Sequence, residues 1–222
     1  MGGNGKAAGR GGPARTAPAH ARFAPTPATT GSIRLDGREL AITSSRAARD
    51  AGIAYVPEDR GHQGLVKPLS IRENISMAVL DRISPAGIIA RTREAALARR
   101  GFDMLGVRAA GIEQPVGQLS GGNQQKVVIA KWLETRPSVL ILDEPTRGVD
   151  VGAKSEIHRL MCEMAARGLS ILMISSELPE VLAMSDRIMV IAEGRITAIL
   201  DRAEASPEAV GLAMSAHREN AA

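Results

Sequence analysis

Two short apolar runs, SVLIL at residues 138–142 and LSILMI at residues 169–174, most constrain what this chain can fold into. Neither alternates with polar residues over its length. Each therefore reads as a strand buried on both faces, the pattern of a parallel sheet covered by helices. A helical pattern from about residue 152 to 166, stopped at Gly168, lies between them. Strand, helix and strand together make a parallel crossover unit.

The surrounding text is consistent with an α/β core. GSIRLDGREL alternates apolar and polar residues and turns at Asp36-Gly37, which predicts a hairpin. TSSRAARDAG predicts a short helix, and IAYV a buried strand ended by Pro57. SIRENISMAVL opens with Ser70 and Glu73 at capping-box spacing, so a helix is expected to about Leu80. A second helix is expected over about 91–105. These helices lack the spacing of a crossover unit, so we read them as a helical subdomain, about residues 68–120, inserted into the core. ELPEVLAM predicts a further short helix, and RIMVIAEGRITAIL a hairpin turning at Glu193-Gly194.

The first 32 residues contain no Val, Ile or Leu. With so little to bury, residues 1–30 are expected to be a disordered Gly/Ala/Pro/Arg-rich tail. Residues 31–205 are expected to form the domain, and 206–222 a C-terminal tail. The formal net charge of +4 has the same origin. Residues 1–32 hold Lys6, Arg10, Arg15 and Arg22 and no acidic residue, and the remainder is balanced. A basic nucleic-acid face on the folded part is thereby disfavoured, and a 2% aromatic content argues against base stacking. Cys162 is the single cysteine, so no disulfide can form within the chain and a reducing compartment is the simpler reading. No apolar stretch approaches the ~18 residues of a membrane span. Cys162, Met161 and Trp132 read as packing residues, and His62 as a solvent-exposed loop residue.

Two motifs carry chemistry. VLILDEP ends a buried strand with adjacent carboxylates, Asp143 and Glu144, at the sheet edge where open α/β folds bind ligands. Side chains diverge there, so one carboxylate can hold Mg²⁺ through water while the other polarises an attacking water. QLSGGNQQKVVIAKWL places Ser120, Gly121 and Gly122 at a helix N-terminus, where unpaired N–H groups and the dipole favour an anion. Glycines there would let phosphate oxygens approach the backbone.

Taken together, the two motifs followed by TRGVD resemble the nucleotide-binding domain of ABC transporters. LSGGNQQK corresponds to the signature, VLILDEP to the Walker B strand and RGVD to the D-loop. AYVPEDRGHQGL and ISSELPEVLAMSDRIMV look most like the second ATP-binding half of the ATPase subunit of bacterial monosaccharide importers. The likeness covers residues 31 to about 200. It implies a P-loop-NTPase-like, mostly parallel sheet, with ATP and Mg²⁺ as cofactors. It also implies that Ser120, Gly121, Gly122 and Asn123 contact the γ-phosphate of ATP held by a facing half. Asp143 would support Mg²⁺, Glu144 would act as general base, and Asp150 would communicate across the dimer. The implied partners are an intact ATP-binding half or a second copy, integral-membrane permease subunits and, indirectly, a sugar-binding protein, with no nucleic acid. The implied location is the cytoplasmic face of the bacterial inner membrane.

The sequence departs from that family at three places. Ser176 stands at the switch position, commonly His, and offers a hydroxyl rather than a base. Glu58 stands at the Q-loop glutamine position, where a carboxylate would repel phosphate unless it binds metal or is turned away. No G-x-x-x-x-G-K-[ST] phosphate loop occurs in the 222 residues, and GNGK at residues 3–6 does not meet its requirements. The resemblance thus predicts a sheet short of one central strand and a chain without ATPase activity of its own. A frameshift or misplaced start over the first ~28 codons would account for such an N-terminus. A relic or regulatory module, and a non-transport ABC ATPase acting on ribosomes or DNA, are the alternative readings.

Overall fold

The computed structural model describes residues 5–8 and 31–215. Its contacts divide the chain into two units, the first of residues 1–55, 138–144 and 164–222, the second of 56–137 and 145–163. The strands in chain order are β1 (Gly5–Ala8), β2 (Ile33–Leu35), β3 (Arg38–Leu40), β4 (Ile53–Val56), β5 (Val139–Asp143), β6 (Ser170–Ser175), β7 (Arg187–Ala192) and β8 (Arg195–Asp201). The helices are α1 (Ser45–Asp50), α2 (Ile71–Ser76), α3 (Leu80–Ile83), α4 (Arg91–Met104), α5 (Gly121–Leu133), α6 (Val151–Ala166), α7 (Leu178–Met184) and α8 (Pro207–Ser215). No described helix is long and apolar enough to cross a membrane.

The first unit is built on a six-stranded sheet in the order β4-β5-β6-β1-β7-β8. β5 and β6 pair in parallel, with Leu140 opposite Ile171 and Asp143 opposite Ile174. Leu140, Ile141, Leu142, Ile171 and Met173 are at most 2% exposed, as strands covered on both faces require. Each such side chain contributes about 1.5–3 kcal/mol of burial. β7 and β8 form the expected antiparallel hairpin, and β2 and β3 a separate one. Both turns have positive φ at both central residues, Asp36 and Gly37 in one and Glu193 and Gly194 in the other. That is the turn whose twist matches its strands.

The centre of the sheet corrects the sequence reading. Gly5–Ala8 pair in parallel with β6 on one side and β7 on the other, so no central strand is lacking. Ladder hydrogen bonds need only backbone, and two strands facing each other across a gap present rows of N–H and C=O groups that must be paired. Apolar content, on which the expectation of disorder rests, does not report this demand. Residues 1–4 and 9–30 of that segment lie outside the described residues. At the other end, α8 replaces the expected tail. Ser206 Oγ accepts from Ala209 N at its start (3.1 Å), and Val210 is fully buried. Residues 216–222 again lie outside the described residues.

The second unit is larger than the expected 68–120 because α5 packs on both α2 and α4. Ile71, Ile75, Ala98, Ile129 and Ala130 are fully buried within it. α2 begins with the predicted capping box. Glu73 N donates to Ser70 Oγ (3.2 Å), and Ser70 N donates to Glu73 Oε2 (2.8 Å). The buried Asn74 amide accepts from Val66 N (2.8 Å) and donates to Val66 O (3.1 Å) and Ser70 O (2.9 Å), so it pins the segment entering α2. Glu94 is 3% exposed, accepts from Ser76 Oγ (2.8 Å) and is paired with Arg72. Met161 is buried as expected, whereas Cys162, one residue round α6, is exposed.

Lys131 on α5 is 7% exposed, and its ammonium donates to Gly64 O in the π-helical turn Arg60–Gly64. Burial lowers its pKa from 10.5 to about 8. Below the folded value both states are protonated, and the folded state carries the full cost of a buried charge. Between about 8 and 10.5 the unfolded chain binds the extra proton, so this residue's contribution to stability rises with pH. Lys131→Met should therefore stabilise the chain most near pH 7. That advantage should shrink by roughly 3 kcal/mol by pH 10.5 in denaturant titrations. A pH-independent difference between the two proteins would show that the ammonium is not buried.

Candidate functional site

The carboxylate pair leaves the sheet as expected, but by a means the sequence does not state. Asp143 is the last residue of β5 and is 1% exposed. The Tyr55 hydroxyl donates to its Oδ2 at 2.9 Å. Burial first, and then the charge and hydrogen bond of Asp143, push the Tyr55 phenol well above its usual range. It stays a neutral donor at any physiological pH. Glu144 turns away through a left-handed backbone, φ +46°, while its N–H still donates to Ile174 O (2.8 Å). Such a conformation is strained for a residue with a Cβ and persists only where surrounding structure holds it. Its half-buried carboxylate accepts from Ser176 Oγ at 3.2 Å. The preceding residue, Ser175, bonds the buried Glu180 carboxylate and accepts from Glu177 N (3.1 Å), which anchors the loop that carries Ser176.

Ser120, Gly121, Gly122, Asn123, Asp150 and Glu58 lie in the second unit. Ser120 is the N-cap residue of α5, yet its hydroxyl makes no capping bond and instead accepts from Asn123 Nδ2 (3.0 Å). Asn123 Oδ1 in turn accepts from Arg108 N (2.8 Å). The Ser120 side chain thus does not take up the first-turn N–H groups of α5, which carry the positive end of the helix dipole. The glycines have a further cause that sequence reading misses. A Cβ on Gly121 would lie 2.6 Å from Arg60 Nη2 and 2.8 Å from Gly148 O, and one on Gly122 would lie 2.4 Å from Ala153 Cβ. The pair is therefore demanded by packing inside the unit, whatever binds outside it.

Arg60 explains the first of these contacts. Its guanidinium donates to Arg147 O (2.7 Å) and Gly148 O (3.1 Å), tying the π-helical turn to the RGVD segment. Asp150 caps α6 by accepting from Ala153 N (2.9 Å). Glu58 is not a bare carboxylate, because it is paired with Arg147. A cavity of about 540 Å³ lies against this pair and is also lined by Lys67 and Gln124. A smaller one of about 120 Å³ is lined by Ser120, Asn123, Asp150, Arg108, Lys126 and Glu156. The nearly buried Lys126 donates to Glu156 Oε2 (2.6 Å) and Gly106 O (2.9 Å), and the first of these bonds holds the Glu156 carboxyl below its ordinary range.

Tyr55, Arg60, Lys126 and Glu156 are thus the site residues that the sequence alone did not single out. Tyr55 carries a signal, being the sole tyrosine and set in an apolar strand, since a buried phenol needs a partner. His62, as expected, is exposed, with its ring 2.8 Å from Asp59.

The ABC transporter family profile matches residues 21–147. The chain belongs to the ABC transporter family. It is 52% identical over 188 residues to a ribose import ATP-binding protein of Rhizobium johnstonii, covering 85% of this chain and 37% of that one. It is 48% identical over 207 residues to a putative ribose/galactose/methyl galactoside import ATP-binding protein of Pseudomonas syringae pv. tomato, covering 93% and 39%. The chain thus spans little more than a third of the length of these relatives. Among solved structures, a bacterial ABC transporter cassette determined as a dimer superposes with a TM-score of 0.75 at 20% identity, covering 90% of this chain and 86% of that one. A Clostridium perfringens component of an ABC transporter complex gives 0.72 at 23%, covering 97% and 83%. These likenesses show the α/β cassette fold predicted from the sequence.

In this ABC chain the Gly122–Ala153 contact should be mutationally coupled. Gly122→Ala should cost about 1–3 kcal/mol by overpacking. Ala153→Gly in the same chain should restore much of that loss despite its own helix penalty, as read by a double-mutant cycle. Additive losses would mean that the two residues do not touch.

Proposed function

We propose that this chain is the ATP-binding component of a monosaccharide ABC importer, in which its α5 N-terminus completes an ATP site on a facing ATP-binding half. The observation that carries this reading is identity of about half over most of the chain to ribose import ATP-binding proteins. The geometry of the carboxylates and of α5 supports it. Ser120, Gly121 and Gly122, with Asn123 holding the Ser120 hydroxyl, would present donors to the γ-phosphate. Asp150 would act at the same dimer contact, which a fixed cap of α6 keeps in place.

Asp143 fits Mg²⁺ held through water. It is a hard-oxygen acceptor with one oxygen bonded by a neutral phenol, and no described cluster of three or more His, Cys, Asp or Glu side chains is placed to hold a metal directly. Bound with ATP, Mg²⁺ would neutralise charge on the phosphate oxygens. Glu144 would accept the proton of the attacking water, held in place by Ser176, whose hydroxyl orients the carboxylate without competing as a base. Glu58, neutralised by Arg147, no longer repels a phosphate.

The partners on this reading are a facing ATP-binding half or a second copy, permease subunits at the inner cytoplasmic face of the membrane and, through them, a sugar-binding protein. In the absence of a facing half that grips the triphosphate, the isolated 222-residue chain should release phosphate from Mg-ATP no faster than the buffer background. Turnover by the isolated chain that Glu144→Gln abolishes would overturn the assignment of its site as a donor to another half.

A further inference from the structure

Away from every residue assigned to the nucleotide, the second unit carries an open cavity of about 320 Å³ lined by Arg82, Ile83, Arg93, Ala96, Leu97, Arg100 and Arg136. Four arginines, from α3, α4 and the turn after α5, are among its lining residues. One of them is neutralised, since Arg100 donates to the Glu134 carboxylate, itself 3% exposed. Arg82 donates through one nitrogen to Glu134 O (2.5 Å) and keeps its charge. Neither the Arg93 nor the Arg136 guanidinium has a hydrogen-bond or ion-pair partner among the described residues. The lining residues therefore carry a formal excess of about three positive charges beside the apolar Ile83, Ala96 and Leu97.

Arg136 adds a second observation. It stands three residues beyond the end of α5 with φ +55°, a left-handed position where glycine or asparagine would be unstrained. Its N–H donates to Leu133 O (2.9 Å), which fixes the backbone, and the residue is one of those lining the cavity. Arginine thus stands where helix termination alone would favour a residue without a bulky side chain.

We propose that this cavity is a binding site for a phosphate-bearing anion, with Arg82, Arg93 and Arg136 as its ligands and the apolar lining residues receiving the group attached to the phosphate. Guanidinium forks match phosphate oxygens in pairs, which lysines or a diffuse positive face would not do. The phosphate can come from a soluble ester or from an anionic lipid headgroup. Both are read with the full chain, using inorganic pyrophosphate in calorimetric titrations and phosphatidylglycerol vesicles, with phosphatidylcholine as control, in flotation.

Saturable binding of either probe is expected, weakened about tenfold by Arg93→Gln and by Arg136→Gly. Arg195→Gln, on β8, should leave it unchanged. Arg136→Gly relieves the left-handed backbone, so its melting temperature should equal or exceed the parent's, which separates loss of binding from loss of fold. Pyrophosphate binding alone assigns a soluble ester, vesicle binding alone a headgroup, and both the shared phosphate chemistry. Binding of neither probe, or binding that the two cavity substitutions leave intact, overturns the proposal.

Discussion

The parallel pairing of β5 with β6 is the constraint on which the rest of the first unit depends. Two apolar strands with no polar face can be stable only inside a sheet covered on both sides. Their register sets Asp143 opposite Ile174, and the backbone bond from Glu144 N to Ile174 O extends that pairing one residue past the strand. The same pairing brings Ser176, two residues beyond Ile174, to the Glu144 carboxylate. Burial of hydrocarbon and placement of the chemistry are here consequences of one ladder.

Two adjacent carboxylates at a sheet edge would be redundant if they met the same surroundings. The structure separates them by backbone conformation. Asp143 continues the strand into an environment closed by Tyr55, and Glu144 breaks from it at positive φ into a half-exposed one. Burial and a neutral donor suit the first to holding a cation through water. Partial exposure and the weakly acidic Ser176 hydroxyl beside it suit the second to accepting a proton. The strain at Glu144 accompanies this difference in surroundings between the two carboxylates.

Much of this was legible in the sequence because the signals were local. Apolar runs, the Ser70–Glu73 cap and the Asp36-Gly37 and Glu193-Gly194 turns each report their own backbone, and each forms where expected. The family motifs placed the candidate site residues on a strand end and a helix start. What sequence did not show was long-range. The strand Gly5–Ala8 answers a demand made by β6 and β7, and its own composition is silent about it. Gly121 and Gly122 read as a phosphate approach because Arg60, Gly148 and Ala153, up to 61 residues away in the chain, cannot be placed beside them by spacing. Val210 in α8 is a single buried residue in a segment too short and polar at its ends to announce a helix.

On the proposed function, α5 begins with donors for a triphosphate held by another half. This is tested most directly by mixing the chain with an intact ATP-binding domain from one of the ribose-import relatives and measuring association by sedimentation, with and without a non-hydrolysable ATP analogue. The expected result is a complex that forms only with the nucleotide and is lost when Ser120→Arg fills the approach to the α5 N-terminus. A complex that forms equally without nucleotide, or that tolerates Ser120→Arg, would contradict it.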